Sequence, residues 1–161
     1  MLAIGLAGLM FPSSFAAELV IAPEDAQASS TPYVTPNTVR SWMEENKPIT
    51  FLDVRAADEF AAGHIKGAIS IRYDQVASLA DQLPHDQPIV LYCIHSSHRA
   101  PEAAKTLRQL GFQNTYVMEG GIVAWQVAGF PIQARDLAKP PTILPLTERC
   151  DELGAKSSEI R

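Results

Sequence analysis

The sequence predicts an α/β protein built on a parallel sheet that helices cover on both faces. Three observations carry this. Short apolar runs with β-branched residues recur at residues 49–54, 68–71, 88–92 and 115–118. Segments of helical periodicity alternate with them. The runs are close to continuously apolar, as strands buried on both faces require.

Each element has its own signal. Tyr33-Val34 is a short strand candidate. Residues 36–46 predict a helix: Thr35 is placed to cap it, Pro36 suits the first helical position, and Val39, Trp42 and Met43 share a face. Residues 49–54 and 68–71 follow as strands. Residues 73–83 predict a helix with Val76, Leu79, Ala80 and Leu83 turned inward. Residues 88–92 are the next strand, and Cys93 follows at once. Residues 100–110 predict a helix ended by Gly111. Residues 115–118 are a further strand, and Gly120-Gly121 turns into a last helix over 122–128. In such sheets ligands sit beyond the carboxyl ends of the strands, and residues 93–99 occupy that place.

Composition narrows the functional classes. The chain has 161 residues, enough for one ordinary domain, and 47% of them are apolar, enough for a packed core. Its 18 acidic against 13 basic residues leave no basic surplus for a nucleic-acid partner. Two cysteines, Cys93 and Cys150, build neither a disulfide framework nor a zinc site. There is no Gly-rich dinucleotide motif after a first strand and no clustered ligand set, so no metal or nucleotide cofactor is implied.

Residues 1–16 predict an export signal. They carry no charged side chain, and the apolar run 2–11 is too short to span a bilayer before Pro12-Ser13-Ser14 breaks it. Ser14 and Ala16 put small residues at the two positions a signal peptidase reads. Cleavage after Ala16 would leave a periplasmic protein without stable membrane association. Residues 17–32 read as a linker, 33–134 as the domain, and 135–161 as a tail with Pro140-Pro141 and Cys150. In an oxidising compartment Cys93 must be kept reduced or form a bridge, and Cys150 is one candidate partner.

The chemistry-bearing segment is Cys93-Ile94-His95-Ser96-Ser97-His98-Arg99. A buried strand delivers a cysteine into a short loop, and a helix begins where the loop ends. The backbone amides of Ile94 through Arg99 are placed to converge on the loop's centre, and the helix N-terminus adds partial positive charge. Both effects favour a nucleophilic thiolate at Cys93. Arg99 can bring a planar guanidinium fork to the same centre, the geometry a tetrahedral oxyanion takes. Ser96 and Ser97 can donate to the thiolate or to a leaving group. His95 and His98 can carry protons near neutral pH.

Several motifs resemble the rhodanese superfamily. Leu52-Asp53-Val54-Arg55, Glu59-Phe60 and Gly63-His64-Ile65-Lys66-Gly67-Ala68 are similar to its D-x-R…E-F…G-H-I-x-G-A signature. Glu119-Gly120-Gly121-Ile122 with Trp125 resembles its closing E-G-G-x-x-x-W segment. The resemblance covers residues 31–134. It implies a five-stranded parallel sheet flanked by helices, with Cys93 as nucleophile. Asp53 and Arg55 are expected to form a charged pair at the end of a core strand, and His64 to satisfy a backbone group, as scaffold that supports the loop.

Loop length departs from the sulfurtransferases of that superfamily. They usually close six residues around one sulfane sulfur, whereas Cys93 to Arg99 makes a seven-residue C-x5-R loop. That form is similar to the cell-cycle dual-specificity phosphatases and the related eukaryotic arsenate reductases. Those phosphatases carry acidic residues after the Cys and before the Arg, where this chain has Ile94 and His98, which leaves His98 as the candidate proton donor. The first expectation is therefore a Cys93 enzyme acting on a tetrahedral oxyanion, a phosphoester or arsenate. The second is a sulfurtransferase that carries sulfane sulfur from thiosulfate as a Cys93 persulfide and hands it to a thiol. The third is a non-enzymatic oxyanion-binding or interaction module.

Overall fold

The computed structural model describes residues 31–144. The predicted export signal, residues 17–30 of the predicted linker and Cys150 lie outside the described residues. Five strands form one sheet: β1 (Tyr33–Val34), β2 (Thr50–Asp53), β3 (Ile69–Ser70), β4 (Ile89–Tyr92) and β5 (Thr115–Met118). All pairs are parallel, in the order β1-β5-β4-β2-β3. β4 is central, with Leu91 in register with Leu52 on one side and Val117 on the other.

The period of two along β4 divides the core. Ile89, Leu91 and, one step beyond the strand, Cys93 join the cluster that packs against Ala100, Ala103, Ala104 and Leu107. Val90 and Tyr92 join the opposite cluster with Val39, Ile122 and Trp125. A four-residue strand holds because every side chain on it is buried, and each large apolar one is worth about 1.5–3 kcal/mol of transfer free energy.

The helices are α1 (Pro36–Glu44), α2 (Ala57–Ala62), α3 (Val76–Leu79), α4 (Arg99–Gln109) and α5 (Gly121–Val127). Thr35 caps α1 by accepting the Thr38 amide at 3.1 Å, and Pro36 opens it. Met43, predicted on the inner face, is exposed, whereas Val39 is buried and Trp42 packs on the core edge.

Two elements differ from expectation. The predicted helix over 73–83 is broken: 3-10 turns at Tyr73–Gln75 and Ala80–Gln82 flank a single α-turn at α3. No side chain caps any of the three pieces. Pro84 drives Leu83 into extended backbone, and Val76, Ala80 and Leu83 reach the core without a continuous helix. The second is α2, a helix that periodicity does not announce. It is six residues long and buries only Glu59 and Phe60.

Residues 135–144, assigned to the tail from sequence, lie against α2. The Arg135 amide donates to the Ala61 carbonyl at 2.9 Å and the Thr142 amide to that of Ala62 at 3.0 Å. A groove of about 570 Å³ opens there, lined by Ala61, Ala62, Ala134, Arg135, Lys139 and Thr142.

Candidate active site

The carboxyl ends of β2 and β4 build a buried charged platform. Arg55 donates from Nε to Asp53 Oδ1 at 2.9 Å and from Nη2 to Asp53 Oδ2 at 2.6 Å, with both side chains fully buried. Nη2 also donates to the Gly63 carbonyl at 2.6 Å. Burial alone would lower the Arg55 pKa, but the hydrogen bond and charge of Asp53 hold it above the ordinary value. The Tyr92 hydroxyl accepts the Ile65 amide at 3.2 Å, and burial together with the nearby Asp53 charge pushes its pKa well above 10. His64 Nδ1 donates to the Phe60 carbonyl at 2.8 Å, and its Nε2 lies 3.2 Å from the Gln133 amide nitrogen. Asp53, Arg55 and His64 thus tie β2, α2 and the segment at Gln133 together beneath the loop.

The loop starts where β4 ends. Its first two carbonyls are claimed by α5: Ile122 donates to Cys93 O at 3.0 Å and Val123 to Ile94 O at 3.2 Å. A trans peptide points its N–H opposite its C=O, so the amides of Ile94 and His95 face away from α5. Gly121 makes this docking possible. It sits at φ 58°, and a Cβ there would lie 2.7 Å from the Ile94 carbonyl carbon and closer still to the carbonyl oxygens of Cys93 and Ile94. That contact is the physical content of Glu119-Gly120-Gly121 in the sequence.

Ser96 turns the loop with φ 54° and is buried, its hydroxyl 3.4 Å from the Cys93 amide. His95 and Ser97 form the exposed rim. His98 occupies the N-cap position of α4 without a side-chain cap. Its Nε2 lies 3.4 Å from Glu102 Oε2, and its ring meets Tyr73 edge-on at 6.5 Å.

Two features define the loop at rest. Cys93 is 0% exposed, so no reagent reaches its sulfur while the loop holds this shape. Ile94 and Ser96, which flank it in the loop, are also buried. Secondly, the terminal nitrogens of Arg99 do not form a fork open to an oxyanion. Nη1 donates to Glu59 Oε2 at 2.7 Å and Nη2 to Glu59 Oε1 at 3.0 Å. Arg99 and Glu59 are only 7% and 9% exposed.

Glu59 is the residue that sequence reasoning missed; it stood there only as part of a signature. Its Oε2 also accepts the Ala56 amide at 3.0 Å, which aims the carboxylate from the first turn of α2. Burial alone would raise its pKa. Hydrogen bonds from Arg99 and Ala56, and the charges of Arg99 and Arg55, hold it below 4.5 instead. Among the described residues no three His, Cys, Asp or Glu side chains gather as a metal site needs. The arrangement sets Cys93 at the end of the central strand, at the start of a loop whose Ile94 and His95 amides turn from α5 and whose closing guanidinium is already matched by a carboxylate.

Comparison with known proteins adds the following. Residues 35–128 match the rhodanese-like domain family. The chain is 36% identical over 109 residues to a probable adenylyltransferase/sulfurtransferase, MoeZ, of Mycobacterium tuberculosis, covering 66% of this chain and 27% of that protein. It is 34% identical over 86 residues to the thiosulfate sulfurtransferase GlpE of Shewanella oneidensis, covering 53% of this chain and 84% of that one. A rhodanese-related protein of Thermoplasma volcanium superposes with a TM-score of 0.57 at 28% identity, over 63% of this chain and 96% of that one. A Rhodopseudomonas palustris protein described as a possible tyrosine phosphatase gives 0.57 at 26% identity, over 66% and 89%. The chain spans about a quarter of MoeZ but most of GlpE.

Proposed function

Because the chain belongs to the rhodanese-like domain family, we propose that it is a sulfurtransferase in which Cys93 carries sulfane sulfur as a persulfide. The Cys93 thiolate attacks the outer sulfur of a donor. The donor's S–S bond breaks, and its remainder leaves with the bonding electrons. A nucleophile, a thiolate or cyanide, then takes the outer sulfur and restores the thiolate. Amides of the loop and the N-terminus of α4 stabilise the anionic persulfide, as they would a thiolate.

The observation that carries this reading is the Glu59–Arg99 pair closing a seven-residue loop. A phosphoryl or arsenate group develops charge on several oxygens and calls for an uncompensated guanidinium. A persulfide adds one soft atom and a single charge. The similarity to GlpE and MoeZ supports the same choice. Cys93 is sealed at rest, so transfer includes a step in which the His95–Ser97 rim moves aside.

The oxyanion-hydrolase reading keeps one observation in its favour, the C-x5-R spacing, which gives a wider ring than six residues do. The Rhodopseudomonas palustris neighbour is consistent with it. A side-by-side assay separates the two. The sulfurtransferase reading expects thiocyanate formation from a sulfane donor and cyanide, abolished in Cys93→Ser, and no release of phosphate from an aryl phosphate. Phosphate release that depends on Cys93, without sulfur transfer, would reverse the assignment.

A further inference from the structure

The three arginines at the carboxyl edge of the sheet are each met by a carboxylate. Arg55, after β2, holds Asp53. Arg72, after β3, pairs with Asp74. Arg99, closing the loop after β4, pairs with Glu59. At the mouth of the loop His98 faces Glu102. The formal charge of these paired side chains therefore does not favour a doubly charged guest at this edge; what remains positive there is the partial charge of loop amides and of the α4 N-terminus.

Glu59 differs from the other carboxylates in this set in its distance along the chain, since Asp53, Asp74 and Glu102 stand two to four residues from their partners. It comes from α2, 40 positions before Arg99, and is aimed by the Ala56 amide. It is nearly buried, so little solvent screens the pair. Both terminal nitrogens of Arg99 are engaged at once, so a dianion that sought them would compete with a carboxylate already seated.

We propose that Glu59 is the specificity-determining residue of the loop: by holding the terminal nitrogens of Arg99 it removes the net positive charge a dianion needs, and so selects hydropersulfides, R–S–SH, over dianionic donors such as thiosulfate. This rests on the sulfurtransferase reading and names its donor class. The favoured step is Cys93–S⁻ + R–S–SH → Cys93–S–SH + R–S⁻. The donor's S–S bond breaks, the new one forms on Cys93, the proton stays on the transferred sulfur, and the thiolate leaves with the electron pair. Thiosulfate runs the same exchange with sulfite leaving, but must first bring two negative charges into the pocket. Glu59 acts through Arg99 and touches no reacting atom, so it is a positioning residue.

The test compares wild type, Glu59→Gln and Glu59→Asp. Two rates are read by mass spectrometry in a single turnover: sulfur uptake on Cys93 from cysteine hydropersulfide and from thiosulfate. Wild type is expected to favour the hydropersulfide. In Glu59→Gln the preference should fall by at least about 10-fold, through a faster thiosulfate reaction. Glu59→Asp, which keeps the charge, should keep the wild-type ranking. A second readout needs no turnover: sulfate titrated into each protein by calorimetry should bind at least about 10-fold more tightly to Glu59→Gln than to wild type. An unchanged preference, or a parallel loss of both rates, makes Glu59 only a structural brace and overturns the proposal. Should Glu59→Gln not fold, faster uptake from thiosulfate than from hydropersulfide in wild type overturns it alone. If wild type takes sulfur from neither donor, the sulfurtransferase reading falls, and with it this donor assignment. The sulfate titration then still decides whether Glu59 controls the charge of the loop.

Discussion

Replacing Gly121 by Ala tests how the loop is held. The new Cβ would sit 2.7 Å from the Ile94 carbonyl carbon, at a backbone φ of 58°. The left-handed conformation costs a residue with a Cβ about 1–2 kcal/mol. Relief of the overlap adds about 1–3 kcal/mol of local strain. If the loop moves instead, the Cys93 and Ile94 carbonyls lose the Ile122 and Val123 amides, at about 1–3 kcal/mol for each group left buried and unmatched. The chain takes the cheaper route, so a loss of about 2–5 kcal/mol is expected, within the usual 5–15 kcal/mol of a folded domain. Gly67 supplies the control. It has φ 80°, and a Cβ there meets nothing within 4 Å, so Gly67→Ala should cost only the conformational part, about 1–2 kcal/mol. Urea unfolding at equilibrium reads both variants, with m unchanged. Costs equal within about 0.5 kcal/mol would show that α5 does not clamp the loop, and the account of the Gly-Gly turn would be wrong.

Asp53→Ala leaves the Arg55 guanidinium buried without its counter-charge and should cost about 3–5 kcal/mol in urea unfolding. Adding Arg55→Met should recover part of that, and a double variant no better than the single would contradict a coupled pair. Glu59 has a folded pKa below its ordinary 4.5, so the stability it contributes is present above that value and is lost as pH falls through and below it. The Tm gap between wild type and Glu59→Gln should therefore be widest near neutrality and narrow as the pH falls below 4.5; a gap independent of pH would contradict the ion pair. Expressed with its N-terminal segment in a Gram-negative host, the protein is expected in the periplasm with Ala17 as its first residue. Recovery in the cytoplasm with Met1 intact would remove the export reading.

The central part of the fold was legible because local signals agree there. Residues 88–92 are apolar and β-branched, Cys93 ends the run, and helical spacing begins again at Ala100; β4, the loop and α4 appear within a residue or two of those bounds. The charged pair Asp53–Arg55 was legible through the signature that contains it, at the end of a core strand. The rest depended on tertiary approach. α2 is Ala-rich, six residues long and capped by no side chain at its first position, so periodicity had nothing to work on. Residues 73–83 share inward positions with a helix, but Pro84 and the lack of caps broke it into three pieces. The partner of Arg99 stands 40 positions away on that same unannounced helix, and an isolated C-x5-R pattern carries no information about what the guanidinium meets. Sequence brought Cys93 to the end of the central strand, yet whether its sulfur faces solvent depends on tertiary packing, which seats Cys93 in the cluster with Ala100 and Ala103 of α4.

The most direct test of Cys93 as a sulfur carrier is peptide mass spectrometry after exposure to a sulfane donor. One added sulfur is expected on the peptide that contains Cys93, removable by cyanide and absent from the Cys150 peptide. A Cys93 peptide that stays unmodified in folded protein, across both hydropersulfide and thiosulfate, would contradict the account.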